Sequence, residues 1–419
     1  MGNKIKRIGF VSTRISGTDG VSLETYKWVQ VLERNGFNCF FFAGELDTPA
    51  EHSQLEELAH FSHPDILELH QQFFGHTRRQ RELSLRTQQY KEHLKQCLYD
   101  FCERFDLDLL IPENALAIPM QIPLGMALTE FLAETGMPCV AHHHDFVWER
   151  ERFIINCVHD YLGYAFPPAL PNIHHAVINS EASRQLSFRR GLSNFVIPNV
   201  FDFRSEPQCE PERCQRLRRE LGYEPGDIMV LQPTRVVPRK RIERAIDLVA
   251  MLGLPKPWLV ISHESGDEGD LYYQRLWEYA QRMGVRLIFL GDQVGTSRCF
   301  TTNHQRPYTI DDVYQAADLV TYPSGYEGFG NAFVEAVYFK KPVVVNRYAI
   351  YVEDIEPKGF LEIPFEEVIT EQVVEEVRRI MEPQRLKEIT EHNYQLGLAY
   401  FSYEVLEEKL LPLINSFNS

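Results

Sequence analysis

Short runs that are apolar on both faces recur along this chain, each followed by a longer stretch with helical periodicity. "PVVVN" (342–346), "PWLVIS" (257–262), "DLVTYPS" (318–324) and "IMVLQP" (228–233) leave little polar face for solvent. A strand of that kind needs cover on both sides, which parallel sheets receive from crossover helices. The alternation predicts doubly wound parallel sheets. In the first half, Ile8–Ser12, Cys39–Ala43, Leu107–Ile111, "PCVAHHH" and "HAVINS" read as strands. Helical patterns cover Val21–Arg34, Leu83–Phe105 and "GMALTEFLAETG", which ends at Gly136. In the second half, "KRIERAIDLVAMLG" is a helix ending in glycine and "VRLIFLG" a further strand.

A chain of 419 residues exceeds one ordinary core. The polar, proline-bearing "FDFRSEPQCEPERC" after Asn199 marks the boundary. The expected layout is α/β, with two Rossmann-like doubly wound domains facing each other across a cleft. Residues 1–200 form the first domain and 201–394 the second, and a tail helix over 395–419 joins the first. Ligands of open α/β sheets sit beyond the carboxyl ends of the strands, so the cleft is the expected site.

Hydrophobic content of 44% and charged content of 24% are ordinary for a soluble globular protein. The net charge is −16, with no long basic run, which argues against nucleic acid and against docking on an anionic membrane. The absence of an apolar window of about 18 residues predicts no transmembrane helix or stable membrane anchor. The apolar part of "MGNKIKRIGFVST" is too short for a signal peptide and reads as a first strand. Eight scattered cysteines without a C-x-x-C pair read as free buried thiols of a reducing compartment, placing the protein in the cytoplasm.

The residues following the strands carry the chemistry. "STRISGTDGVSLETY" is a glycine-bearing loop opening a helix, with Gly17 and Gly20 allowing positive φ and close backbone approach, either a plain turn or an anion site. "TRVVPRKRIERA" gathers Arg235, Arg239, Lys240 and Arg241 at a helix start, where the macrodipole disfavours cations. That cluster is either a solvated basic turn or a diphosphate site, with arginine as a fork and lysine as a point charge. "AHHHDFVWER" ends a strand with His142, His143, His144 and Asp145. Zinc, satisfied core histidines and a polar site wall are the three readings. "DLDLL" (106–110) precedes its strand, so it reads as a strand start and not as a metal-binding D-x-D.

In "YPSGYEGFGNAFVEAVYFKK", Glu327 lies in a loop and Glu335 lies ~8 Å along the helix beginning near Gly330, at ~1.5 Å per residue. Gly328 and Gly330 leave backbone amides bare for phosphate or sugar oxygens. A carboxylate suits a vicinal diol, so one can meet a sugar and the other a ribose. The bland reading makes Glu335 a cap or an ion-pair partner.

Glu327, seven residues, then Glu335 resembles the E-x7-E signature of retaining nucleotide-sugar glycosyltransferases with the GT-B fold, family 4 type, which includes sucrose-phosphate synthases. "TRVVPRKRI" resembles that family's Arg…Lys pair on the diphosphate, and "HHHDF" its strand-end histidine near the donor sugar. "IPNVFDF" resembles its "PNGVD" hinge strand, with Val200 and Phe201 where glycine and valine are usual. "SGTDGVSLET" resembles its N-domain glycine loop, with Asp19 where a second glycine is common. The resemblance implies a hexosyltransferase that keeps the anomeric configuration, with a donor of UDP-glucose or GDP-mannose type. Glu327, His144, Arg235 and Lys240 are then the catalytic residues. Gly20, Arg235, Lys240, Gly328, Phe329, Gly330, Asn331 and Glu335 are the donor-binding residues. The nucleotide sugar is a substrate, so no cofactor is implied, and arginine and lysine on the leaving diphosphate make a metal unnecessary.

The acceptor is expected on the first domain, against Asn114, Asp145 and Arg150, with Arg152 beside them. An inward arginine would suit a small anionic acceptor, such as a glycerate-type or phosphorylated-sugar compound, giving a soluble product of compatible-solute kind. The competing readings are a glycoside phosphorylase on the same fold and a non-catalytic nucleotide-sugar sensor. The oligomeric state is left open.

Overall fold

The computed structural model describes residues 5–17, 19–208, 210–263, 270–291, 294–295 and 308–418. The chain folds as two compact units. One runs to Pro198 and takes in the segment from Leu406 onward, and the other spans Asn199 to Val405. No helix among the described residues is long and apolar enough to cross a membrane.

The first unit is built on seven strands: β1 (Arg7–Val11), β2 (Asn38–Ala43), β3 (Ser53–Leu55), β4 (Leu109–Pro112), β5 (Cys139–His143), β6 (Ile173–Val177) and β7 (Asn194–Val196). Their order is β3-β2-β1-β4-β5-β6-β7, and every pairing is parallel. The order reverses between β1 and β4, so their carboxyl ends form the switch point of the sheet. Register there is set by Ile8 opposite Cys39 on one side and Leu109 on the other. Gly9 belongs to this packing: a Cβ at that position would overlap Leu107, Leu110 and Phe101. The core on that face joins Phe42, Phe101, Leu110, Leu128 and Phe131.

The second unit repeats the plan with β8 (Val230–Gln232), β9 (Trp258–Ile261), β10 (Arg286–Phe289), β13 (Leu319–Tyr322), β14 (Val343–Asn346) and β15 (Ile363–Phe365), in the order β10-β9-β8-β13-β14-β15. These strands are again all parallel. Between them in sequence, β11 (Val294–Gly295) and β12 (Tyr308–Thr309) make a two-stranded parallel ribbon. The switch point lies between β8 and β13. Val230, Leu259, Leu319 and Val344 are buried with the helix Ile242–Leu252 in one core. Both sheets thus have the doubly wound Rossmann order that the alternation predicted.

Several boundaries differ from the sequence reading. The strand expected from Leu107 begins at Leu109, because Asp106 ends the preceding helix Arg81–Phe105 with φ +49 and Asp108 accepts from the amides of Lys6 and Arg7 at 2.8 and 2.9 Å. The tail is two helices, Pro383–Phe401 and Tyr403–Asn415, interrupted at Ser402, rather than one helix from 395. All six described cysteines are free, but Cys97 and Cys157 are half-buried instead of buried. Cys209 and Glu264 lie outside the described residues.

Candidate functional site

In the second unit, the chain leaving β8 and the chain leaving β13 meet at the switch point. Lys240 ends a short 3-10 turn, Pro238–Lys240, and Glu327 lies in the loop before the helix Asn331–Tyr338. Both are buried, and the Lys240 ammonium donates to Glu327 Oε1. Arg239 reaches Glu327 Oε2 at 3.2 Å. Burial works against ionising Glu327, but Lys240 and Arg239 outweigh it and hold the carboxyl below its usual range. Desolvation lowers the Lys240 pKa despite Glu327. We regard the pair as charged, because each group has its counter-ion in contact. Lys240 Nζ also lies 5.6 Å from the centre of the Tyr322 ring. Burial and the Glu327 charge keep that phenol protonated.

Arg235, beyond β8, is exposed, and no described side chain pairs with it. Arg241 is instead tied to Glu367. The sequence reading placed Arg235 and Lys240 together on one diphosphate. Here Lys240 is already the partner of Glu327, while Arg235 has its guanidinium to spare.

Gly330 caps the helix Asn331–Tyr338 with φ +140, and no side chain caps that helix. A Cβ on Gly330 would overlap the Tyr348 hydroxyl, which donates to Phe329 O at 2.8 Å. The position therefore requires glycine on two counts. Gly328 is half-buried. The Phe329 ring is buried and meets the Phe401 ring nearly perpendicular, with 5.5 Å between centres, so it takes part in the packing of this unit. Asn331 accepts from Asn199 Nδ2 at 2.8 Å. Glu335 accepts from the buried Tyr314 hydroxyl at 2.9 Å, and Tyr314 stacks on Phe339.

The first unit has a cluster at its own switch point. Glu113 follows β4 and is fully buried. Its Oε2 contacts His142 Nδ1 at 2.9 Å and His144 Nε2 at 3.2 Å. Desolvation lowers the pKa of both histidines, His142 to about 3, so each is neutral and donates its one N–H to that oxygen. Burial pushes the Glu113 carboxyl up to about 7. Strand alternation sends His143 to the opposite face, where it meets His175 at 2.9 Å. His142 stacks on Trp28 with 4.0 Å between ring centres. These three histidines are therefore mostly core groups with partners. The Glu113, His142 and His144 ligand atoms also lie within metal-binding reach of one another, and the two N–H···O contacts account for that proximity.

Three expectations for this unit change. Asp19 caps the first helix, Gly20–Arg34, accepting from Val21 N and Ser22 N at 3.1 and 3.2 Å. A carboxylate of the chain already fills the place an anion would take beside Gly20, so that helix start is no phosphate cradle. Asn114, with φ +59, accepts from the amides of His144 and Asp145 at 3.0 and 3.2 Å, so its carbonyl braces the loop after β5. Arg150 lies between two 3-10 turns, Val147–Glu149 and Glu151–Phe153, not at a helix start, and donates to Asp145 at 2.7 Å. Asp145 and Arg150 are thus an ion pair, and Arg152 lies over the Phe153 ring.

Arg239, Tyr314 and Tyr348 escaped the sequence reading as site residues. Arg239 stood inside the basic cluster, whereas the tyrosines become visible only once the helices are packed.

The family model for group 1 glycosyl transferases matches residues 215–395. The mannosylglucosylglycerate synthase of Thermotoga maritima is 35% identical over 96% of this chain and 98% of its own length. That of Petrotoga mobilis is 34% identical over 84% and 85%. The fold of a glycosyltransferase from Rickettsia africae superposes with a TM-score of 0.70 at 13% identity, covering 100% of both chains. Two Rossmann-like units, the sequence match and the shared fold lead to one conclusion: the chain belongs to the group 1 glycosyl transferases and is a glycosyltransferase of the GT-B fold.

Proposed function

We propose that the protein transfers a hexose, with retention of configuration, from a nucleoside-diphosphate sugar to a small acceptor that carries glycerate. The observation carrying the donor half is the buried Glu327 held by Lys240 and Arg239 at the carboxyl ends of β8 and β13. In the transfer, the bond from C1 to the diphosphate oxygen breaks and its electron pair leaves with the diphosphate. A hydroxyl oxygen of the acceptor bonds to C1, and its proton passes to the departing diphosphate. Arg235 supplies a planar fork to the growing charge and Lys240 its remaining N–H donors. The amides of Gly330 to Ala332, which no side chain caps, favour negative charge in the same place. Each Glu327 oxygen keeps a lone pair beyond its ion pair, able to accept from sugar hydroxyls. Glu335 is assigned to the ribose, with the Tyr314 hydroxyl setting its direction.

The acceptor half draws on the two relatives, whose names join mannosyl, glucosyl and glycerate in one product. The protein is to be incubated with GDP-mannose or UDP-glucose and with glycerate or glucosylglycerate, and nucleoside diphosphate release measured. The anomeric configuration of the product is read by nuclear magnetic resonance. Release that requires a glycerate-bearing acceptor and gives the donor's own anomer supports the proposal. Sugar phosphate formed from inorganic phosphate would identify a phosphorylase, and donor binding without release a sensor.

A further inference from the structure

Beyond the carboxyl ends of β1 and β4 lies a cavity of about 120 Å³, walled by Arg14, Asp19, Phe61, Glu113 and Asn114 among others. It is close in size to a cavity of about 150 Å³ that admits benzene, which puts it on the scale of a glycerate group. Two of the residues walling it each hold a buried polar atom that has no partner among the described residues: Arg14 Nε and Glu113 Oε1. Buried polar atoms are ordinarily satisfied, and an orphan in a wall calls for an explanation. The other charges of the cavity are accounted for. Asp19 receives two helix amides, the Ser22 hydroxyl at 2.7 Å and one Arg14 nitrogen at 3.1 Å. Glu113 Oε2 receives both histidines. What remains is one cationic N–H donor and one carboxyl oxygen, each buried in a residue that walls a small polar hollow.

We propose that this cavity seats the glycerate end of the acceptor, with its carboxylate on the Arg14 guanidinium and its free hydroxyl on Glu113 Oε1. This rests on the reading above that the acceptor bears glycerate, and it moves the anion anchor from Arg150 to Arg14. Both arginines pair with a carboxylate, Arg150 with Asp145 and Arg14 with Asp19, but Arg14 is the one that walls this cavity, where it is held over the Phe61 ring at 5.4 Å. Both histidines are on Glu113 Oε2, which leaves Oε1 as the polar contact for a hydroxyl. Position agrees with the chemistry, because the switch point of a doubly wound sheet is where such folds take ligands.

The test uses the full chain with GDP-mannose and three acceptors. These are glucosylglycerate, glucosylglycerol without the carboxylate, and glucosyl-lactate without the terminal hydroxyl. Wild type is expected to favour the first over both others. Arg14→Gln should raise KM for glucosylglycerate about 30-fold, as loss of hydrogen bonds to a charged group does. KM for glucosylglycerol and acceptor-free donor hydrolysis should stay within about two-fold. Arg14→Lys keeps the charge without the fork, guards against a folding defect, and should raise KM for the carboxylate acceptors alone. Glu113→Ala should erase the preference for glucosylglycerate over glucosyl-lactate. A wild type indifferent to the carboxylate overturns both this assignment and the glycerate reading. A wild type that prefers glucosylglycerate, with Arg14 variants that prefer it equally, overturns this assignment and leaves the glycerate reading standing.

Discussion

Lys240 keeps its charge where burial disfavours it, and only Glu327 makes that possible. On the proposed function the pair serves stability and catalysis at once, so Lys240→Ala is expected to do two things. It leaves Glu327 buried with Arg239 alone, which costs about 3–5 kcal/mol for a broken buried pair. It also removes charge stabilisation from the leaving diphosphate, a loss of about 10²–10³ in kcat. Arg235 separates these effects, since it is exposed and has no side-chain partner among the described residues. Arg235→Ala should cut kcat by about the same factor while the denaturation midpoint stays put, and an unchanged kcat and donor KM would remove Arg235 from the diphosphate. Glu113 gives a second residue-scale prediction. Its folded pKa of about 7 lies above its unfolded value. The stability this group contributes is thus fully present below about pH 4.5 and lost as pH rises through about 7. The span is about 3 kcal/mol at ~1.36 kcal/mol per unit. His142 acts in the opposite sense, its contribution being complete above about pH 6.5 and lost as pH falls towards 3. Subtracting the stability curve of Glu113→Gln from that of wild type isolates the Glu113 part, and a flat difference between pH 4 and 8 would mean that the carboxyl is not raised.

Elements were legible in proportion to their length and apolarity. β14 and β9 read directly because both faces are buried, and the helix Arg81–Phe105 read because twenty-five residues display its period. The edge strands β3, β7 and β15 have three residues each and escaped notice, since three positions cannot show an alternation. Site residues follow the same logic. Glu327 and Glu335 stood out by their spacing and the glycines between them. Asp19 was ambiguous in sequence, because the same loop that could cradle an anion can supply its own carboxylate, and the side-chain direction decides. The two helix starts differ accordingly: Gly20–Arg34 is capped by an acid, whereas Asn331–Tyr338 has no side-chain cap. Gly330 is where the second start is most sensitive. Gly330→Ala must hold an L-residue at φ +140 against the Tyr348 hydroxyl, and should destabilise by about 1–3 kcal/mol from the backbone alone, plus the overlap. Adding Tyr348→Phe should recover the overlap part in a denaturant melt but not the backbone part. Full recovery would show that φ at this residue relaxes freely.

At the scale of the molecule, the same strand order is used twice and each sheet carries a polar cluster at its own switch point. Division of labour follows from the charges there. The second unit offers cations and uncapped amides, suited to a diphosphate, while the first offers a small hollow with one arginine edge and one carboxyl. The first unit is also discontinuous, because it includes the segment from Leu406 onward. That segment buries Leu406, Leu410, Leu413 and Ile414 almost completely. Beyond the helix Tyr403–Asn415, Ser416 lies 2.9 Å from His174 Nε2, and the Phe417 ring lies 4.3 Å from the His174 ring. Four buried aliphatic side chains at about 1.5–3 kcal/mol each come to about 6–12 kcal/mol. That is as large as the whole stability of an ordinary domain. Deleting residues 406–419 should therefore unfold the first unit selectively. Hydrogen exchange on the truncated chain should show lost protection in β1, β4 and β5 and retained protection in β8, β13 and β14. Protection kept equally in both sheets would show that the tail adds little to the first unit. Uniform loss in both would show that the second unit does not hold its fold without the first.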